Sequence, residues 1–278
     1  ASILFSDILT IPDAFNLGLA FHEGEGPNFS NPISSTDDIN NLDAFDLNAL
    51  DYVFKAVEET KNLIPTTLPL IGFCGSPWTL AAYSIEGGGS KDFKKTKTFV
   101  AENPNALHDF LEILSDACYQ YLKQQVLSGV NALQIFDSWA DLLSENELDL
   151  FSLRYTKKIT QKLKNDPITK HIPVILFEKN PNKDIKEIVF EDLSCISLHW
   201  NSDIGIISES LKNDIAIQGN LDPKVLTKSD EIIQEEVRKI CSIMKDYPGY
   251  IFNLGHGITP DIKPAKVEVM IKAIREDT

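Results

Sequence analysis

The chain has 278 residues, 41 of them acidic and 26 basic, giving a formal net charge of -15 and a pI near 4.7. That balance argues against a nucleic-acid or anionic-membrane partner, since both demand a basic surface. Hydrophobic residues make up 43% and charged residues 24%, a globular composition able to bury a sizeable core.

In chain order, seven short apolar runs predict strands: I-L-F-S-D (3 to 7), P-L-I-G-F-C-G (69 to 75), A-L-Q-I-F-D (132 to 137), P-V-I-L-F-E (173 to 178), C-I-S-L-H-W (195 to 200), I-A-I-Q-G-N (215 to 220) and Y-I-F-N-L-G (250 to 255). They are apolar on both alternating faces, as buried parallel strands are, and the spacers carry helix-period patterns such as A-L-H-D-F-L-E-I-L-S-D-A-C-Y-Q-Y-L. Strands alternating with helices mean βαβ units, in an open doubly wound sheet or a (β/α)8 barrel. Most runs end in a chemically capable group, namely Asp7, Asp137 with Ser138, Glu178, His199, Asn220 or His256. Barrel enzymes carry their sites at that edge, and no G-x-G-x-x-G follows a strand, so the barrel is preferred.

Seven strands are one short of a closed barrel, so the expectation is a single domain over 1–278 that lacks its first strand and N-terminal segment. F-N-L-G-L-A-F-H-E-G-E-G-P-N-F, after the first unit, has the alternation and glycines of a hairpin inserted over the barrel mouth. The four cysteines are far apart and form no metal-spaced cluster, which reads as reduced thiols in the cytosol. No run of apolar residues is long enough for a membrane span, and the N-terminus lacks the pattern of a signal peptide.

Four places carry candidate chemistry, each beside a plainer alternative. S-P-W-T-L-A-A-Y-S-I-E-G-G-G-S (76 to 90) starts like a helix and stops at three glycines. These glycines serve as a C-cap or let a large flat ligand approach the backbone; a P-loop pattern is absent. Asp7 and Ser138 follow apolar strands and are either helix N-caps or site residues. His256 lies between two glycines at a strand end, an arrangement that is costly unless the histidine faces something.

Taken together, F-S-D-I-L-T-I-P-D-A, G-E-G-P-N-F, G-F-C-G-S-P-W-T-L-A-A-Y-S-I-E-G-G-G-S, Q-I-F-D-S-W-A, Q-G-N-L-D-P and F-N-L-G-H-G-I-T-P-D closely resemble the uroporphyrinogen decarboxylase family, in family order and across nearly the whole chain. The resemblance implies a (β/α)8 barrel, usually a homodimer, that removes carbon dioxide from the four acetate side chains of uroporphyrinogen to give coproporphyrinogen, with no metal and no organic cofactor. It implies that Asp7 receives the pyrrole N–H groups and stabilises the cation formed during decarboxylation. By the same resemblance Tyr83, Ser138 and His256 contact substrate, and Ile3 and Phe73 line the cleft. The chemistry is coherent: protonating an electron-rich pyrrole makes an electron sink within the substrate, and a fixed carboxylate lowers the energy of that cation. Asp7 has to act as the anion, with donors such as Tyr83 helping to hold it so.

Two departures stand out. The family's arginine-rich segment, resembling R-Q-A-G-R-Y-L-P-E, is absent; Arg154, Arg238 and Arg275 are the only arginines and none lies in a matched motif. The sequence therefore reads as a fragment that binds its many-carboxylate substrate poorly. His199 stands where the family usually has an acidic residue in L-D-W, and no role is assigned to it. The alternatives are a corrinoid methyltransferase with a zinc thiolate site, which the absent cysteine cluster disfavours, and a non-catalytic porphyrin-binding homologue.

Overall fold

A computed structural model describes residues 1–22, 26–179, 183–212 and 214–276. The chain divides into two compact units, Ala1–Val174 and Ile175–Thr278.

In the first unit the strands are β1 (Ser2–Ile3), β2 (Leu19–His22), β3 (Gly26–Phe29), β4 (Leu70–Gly75) and β5 (Ala132–Asp137). The helices are α1 (Thr10–Asp13), α2 (Thr36–Asn40), α3 (Asp51–Leu63), α4 (Pro77–Glu86), α5 (Lys94–Glu102), α6 (Pro104–Leu127), α7 (Glu145–Glu147) and α8 (Arg154–Asn165). β1 pairs with β4 in parallel, Ser2 opposite Leu70, and β4 pairs with β5 in parallel, Phe73 opposite Gln134. The first expected strand is thus much shorter than 3 to 7, because the chain leaves the sheet and turns at Asp7. The predicted hairpin is present as antiparallel β2 and β3, Leu19 opposite Phe29. Gly24 and Glu25 of G-E-G-P-N-F lie outside the described residues.

α4 starts as its sequence prescribes. Ser76 is the N-cap, its hydroxyl accepting from the Thr79 N–H, and Pro77 fills the first turn, where its missing N–H is not needed. It stops at Gly87, which takes the left-handed conformation with φ 93°, open to glycine at no steric cost. The next glycine has a different reason: Gly88 bridges to Asn28 of the hairpin, and a Cβ there would lie 2.8 Å from the Pro27 carbonyl. The triple glycine therefore caps the helix and seats the hairpin.

α4 is buried on nearly every side, and Trp78 is fully buried with its Nε1 donating to the Trp139 carbonyl at 2.8 Å. Burying a side chain of this size stabilises by about 2 kcal/mol or more. Against α4 and β4 packs α6, whose Leu107, Phe110, Leu111 and Leu114 are fully buried. From α6 a buried glutamine, Gln125, reaches β4: its Oε1 accepts from the Phe73 N–H at 3.0 Å and its Nε2 donates to the Phe73 carbonyl at 2.9 Å. It fills the hydrogen-bonding position that β1, only two residues long, leaves open.

In the second unit, β6 (Val174–Glu178), β7 (Cys195–Ser197), β8 (Ala216–Leu221) and β9 (Tyr250–Leu254) pair in parallel in that order. The helices are α9 (Ile185–Ile188), α10 (Ile204–Leu211), α11 (Asp230–Met244) and α12 (Pro264–Glu276). All seven expected strands exist, and the α/β class holds. β6 is buried throughout, but β9 alternates between half-buried and exposed residues. Its Phe252 and Leu254 pack on the cluster of Leu221, Leu226, Ile233, Val237 and Met270, while Ile251 faces outward, so β9 is a one-sided strand rather than a doubly covered one. Among the described residues no helix is long and apolar enough to cross a membrane.

Candidate active site

Asp7 follows β1 and is half-buried. Its Oδ1 accepts from the Leu9 N–H at 2.8 Å, and its carbonyl accepts from the Thr10 Oγ1 at 2.9 Å, so the residue makes an Asx turn leading into α1. Leu9, not Asp7, is the N-cap of α1. Oδ2 has no hydrogen-bond partner among the described residues. One carboxylate oxygen is thereby fixed by the backbone and the other is uncommitted among the described residues.

Tyr83 is the aromatic exception in α4, half-buried in a helix whose other apolar residues are buried. Its ring lies edge-on to Trp139 at 5.9 Å and to Phe93 at 6.0 Å, and Phe93 lies 4.5 Å from Trp139. Burial pushes the Tyr83 phenol up, the Trp139 indole pulls the other way, and the Asp7 charge adds to the rise. The expected hydrogen bond between Tyr83 and Asp7 is not formed: among the described residues Asp7 is held by the Leu9 N–H, and Tyr83 by its aromatic neighbours.

Ile3 is exposed at 45%, whereas Phe73 is buried in β4, its ring edge-on to Phe136 at 5.7 Å. Ser138 sits half-buried in the turn after β5. It does not cap the next helical turn, whose N-cap is Trp139. Its hydroxyl has no hydrogen-bond partner among the described residues. Asp137, counted among the chemically capable strand ends, is fully buried and, among the described residues, is bonded to the hydroxyls of Ser76, Thr79 and Ser152.

In the second unit His256 follows β9 and is exposed, its ring 5.7 Å from that of His199 and 6.4 Å from that of Phe177. His199, unassigned from the sequence, is buried, and its Nδ1 is hydrogen-bonded with the Asn201 Oδ1. Asn220 is structural: its Nδ2 donates to the His199 carbonyl at 3.0 Å and the Ser202 carbonyl at 2.8 Å. The glycine before His256 is not there for the histidine alone. A Cβ on Gly255 would stand 2.3 Å from the Trp200 nitrogen.

Sequence reasoning missed Gln125, Trp139 and Asn201. Trp139 had a signal in F-D-S-W, where the serine drew attention from the neighbouring indole. Gln125 and Asn201 had none, since neither stands out in its local pattern.

Comparison with known proteins agrees along the whole chain. The family model described as "Uroporphyrinogen decarboxylase (URO-D)" matches residues 1–277. The uroporphyrinogen decarboxylase of Vesicomyosocius okutanii is 45% identical over 274 residues, covering 99% of this chain and 79% of that protein. That of Methylococcus capsulatus is 45% identical over 277 residues, with coverage of 99% and 79%. Among solved structures, a methyltransferase from Methanosarcina mazei aligns with a TM-score of 0.80 at 16% identity, over 99% of this chain and 80% of that one. That likeness shows a shared fold. The chain belongs to the uroporphyrinogen decarboxylase family.

Proposed function

We propose that the protein decarboxylates uroporphyrinogen, removing its four acetate carboxyl groups to yield coproporphyrinogen, with Asp7 as the group that stabilises the transition state. The observation that carries this reading is the Asp7 carboxylate, anchored to the Leu9 N–H through one oxygen and open at the other. A pyrrole protonated at carbon becomes a cationic ring that takes up the electron pair released when the C–CO2 bond breaks. A fixed anion beside the ring N–H groups then stabilises the transition state more than the ground state, the condition for raising kcat. Tyr83, Ser138 and His256 contact the substrate in this reading, and Ile3 and Phe73 give apolar contact to the macrocycle. No metal or organic cofactor takes part. A single domain, a homodimer and a cytoplasmic location belong to the same proposal; one family model running from residue 1 to 277 supports the first.

The test is anaerobic incubation of the protein, expressed from its complete reading frame, with uroporphyrinogen, followed by separation of the oxidised products by carboxylate number. Stepwise loss down to the four-carboxylate product is expected. Binding without loss of carbon dioxide would overturn the catalytic reading in favour of a porphyrin-binding protein. The methyltransferase likeness carries fold alone and adds nothing to a methyl-transfer reading.

Tyr83→Phe tests one contact. Removing a hydroxyl that bonds a charged substrate is expected to raise KM about tenfold with little change in Tm. Steady-state kinetics indistinguishable from wild type would leave Tyr83 a packing residue.

A further inference from the structure

The turn carrying Ser138 is held from both sides by buried groups for which substrate contact gives no reason. Asp137, last residue of β5, is fully buried. Its Oδ1 accepts from the Ser76 Oγ at 2.7 Å and from the Thr79 Oγ1 at 2.8 Å, and its Oδ2 accepts from the Ser152 Oγ. Ser76 and Thr79 stand in the first turn of α4, and Thr79 has a second bond, its Oγ1 accepting from the Trp139 N–H at 3.3 Å. The Trp139 carbonyl accepts from the Trp78 Nε1 at 2.8 Å, and the Phe136 carbonyl from the Ser76 N–H at 2.8 Å. Residues 136, 137 and 139 are all tied to α4, and only Ser138 between them presents an uncommitted hydroxyl among the described residues.

A carboxylate is an expensive way to fill a core. Burial pushes the Asp137 carboxyl up, and the three hydroxyls of Ser152, Ser76 and Thr79 oppose it. Replacing the carboxylate and its hydroxyl partners together by apolar groups of the same shape can be nearly neutral, so stability alone does not call for an acid here. What it provides is direction. A carboxylate accepting three hydroxyls at fixed angles joins the end of β5, the start of α4 and the helical segment at Ser152, and so sets the height and tilt of the turn. Trp139 leaves that turn with its ring against Tyr83, so any shift of the turn moves both candidate substrate contacts together.

We propose that Asp137 and Thr79 are positioning residues of the active site, fixing the Ser138 hydroxyl through the turn and the Tyr83 ring through Trp139. This rests on the reading of Ser138 as a substrate contact. Neither group touches substrate: Asp137 and Thr79 are both fully buried.

Thr79→Val keeps the shape of the side chain but deletes the hydroxyl that joins Asp137 to the Trp139 N–H. Kinetics of wild type, Thr79→Val, Ser138→Ala and the double variant are measured below the lowest Tm of the set. Ser138→Ala and Thr79→Val are each expected to raise KM for uroporphyrinogen about tenfold, the equivalent of one hydrogen bond to a charged group, with kcat within about twofold. The double variant is expected within about twofold of Ser138→Ala, because both changes remove the same interaction. Thr79→Ser, which restores the hydroxyl, is expected to return KM to wild type. Should Thr79→Val not fold, Ser76→Ala removes the other Oδ1 donor and is expected to give a smaller rise, about threefold, equally non-additive with Ser138→Ala. A wild-type KM in Thr79→Val beside a raised one in Ser138→Ala overturns the positioning role and leaves the Ser138 contact standing. Multiplied losses in the double variant overturn it as well, since independent damage behaves so. A wild-type KM in Ser138→Ala removes the substrate reading of Ser138, and the proposed route with it.

Discussion

Asp7→Asn is expected to lower kcat/KM for uroporphyrinogen by about a hundredfold or more while leaving the fold intact. The amide keeps an oxygen for the Leu9 N–H, so the turn into α1 survives, but the negative charge that would face the ring cation is gone. Loss of one preorganised electrostatic contact to a developing charge costs about 3 to 4 kcal/mol of transition-state stabilisation. Asp7→Gly removes the turn contact as well, so the difference between the two variants separates charge from geometry. Ultraviolet titration gives an independent check. The Asp7 charge helps to raise the Tyr83 phenol, so that phenol is expected to ionise at lower pH in Asp7→Asn. Wild-type turnover by Asp7→Asn would take Asp7 out of the chemistry.

The second large effect is structural in origin. Gly255→Ala is expected to cost about 3 kcal/mol or more, at the upper end of overpacking penalties, and to lower Tm by about 10 °C. The added Cβ would meet backbone, 2.3 Å from the Trp200 nitrogen and 2.5 Å from its Cα, so no rotamer relieves it. Gly255 also donates to the Leu221 carbonyl at 2.8 Å and accepts from the Trp200 N–H at 3.2 Å, so the strain spreads to the ends of β7 and β8. Because His199 precedes Trp200 and His256 follows Gly255, the two imidazoles are expected to lose their edge-on contact together. Calorimetry checks the first consequence and the KM for uroporphyrinogen the second. A Tm within about 2 °C of wild type would show that the close approach at Gly255 is easily relieved.

The parts of this protein readable from sequence were those whose causes lie within a few residues. Ser76 with Pro77 announced the start of α4 and Gly87 its end, because caps act over one turn. The seven apolar runs marked the strands, because burial in a parallel sheet demands them. Strand length was less legible: β1 ends early because Asp7 turns back on the Leu9 N–H, and β7 ends at Ser197 because the chain bends toward Gly255. The triple glycine read as a C-cap or as room for a flat ligand; Gly87 is the cap, while Gly88 answers to a hairpin some 60 residues earlier in the chain. Asp137 looked like a reactive group and is a buried anchor, a distinction made by hydroxyls 15, 58 and 61 residues away. Periodicity carries no trace of such partners.

Gln125 bears on how the first unit avoids its own kind. A strand with open N–H and carbonyl groups invites pairing with any other extended chain, during folding above all. By engaging both groups of Phe73, a side chain from α6 stands in for a neighbouring strand and gives that stretch of β4 nothing to offer a stranger. Gly72 keeps the approach open, since a Cβ there would fall 2.7 Å from the Gln125 oxygen. The same amide steadies a residue of the candidate cleft, and Gln125→Leu, which leaves both Phe73 groups without it, is expected to lower the soluble yield on expression relative to wild type.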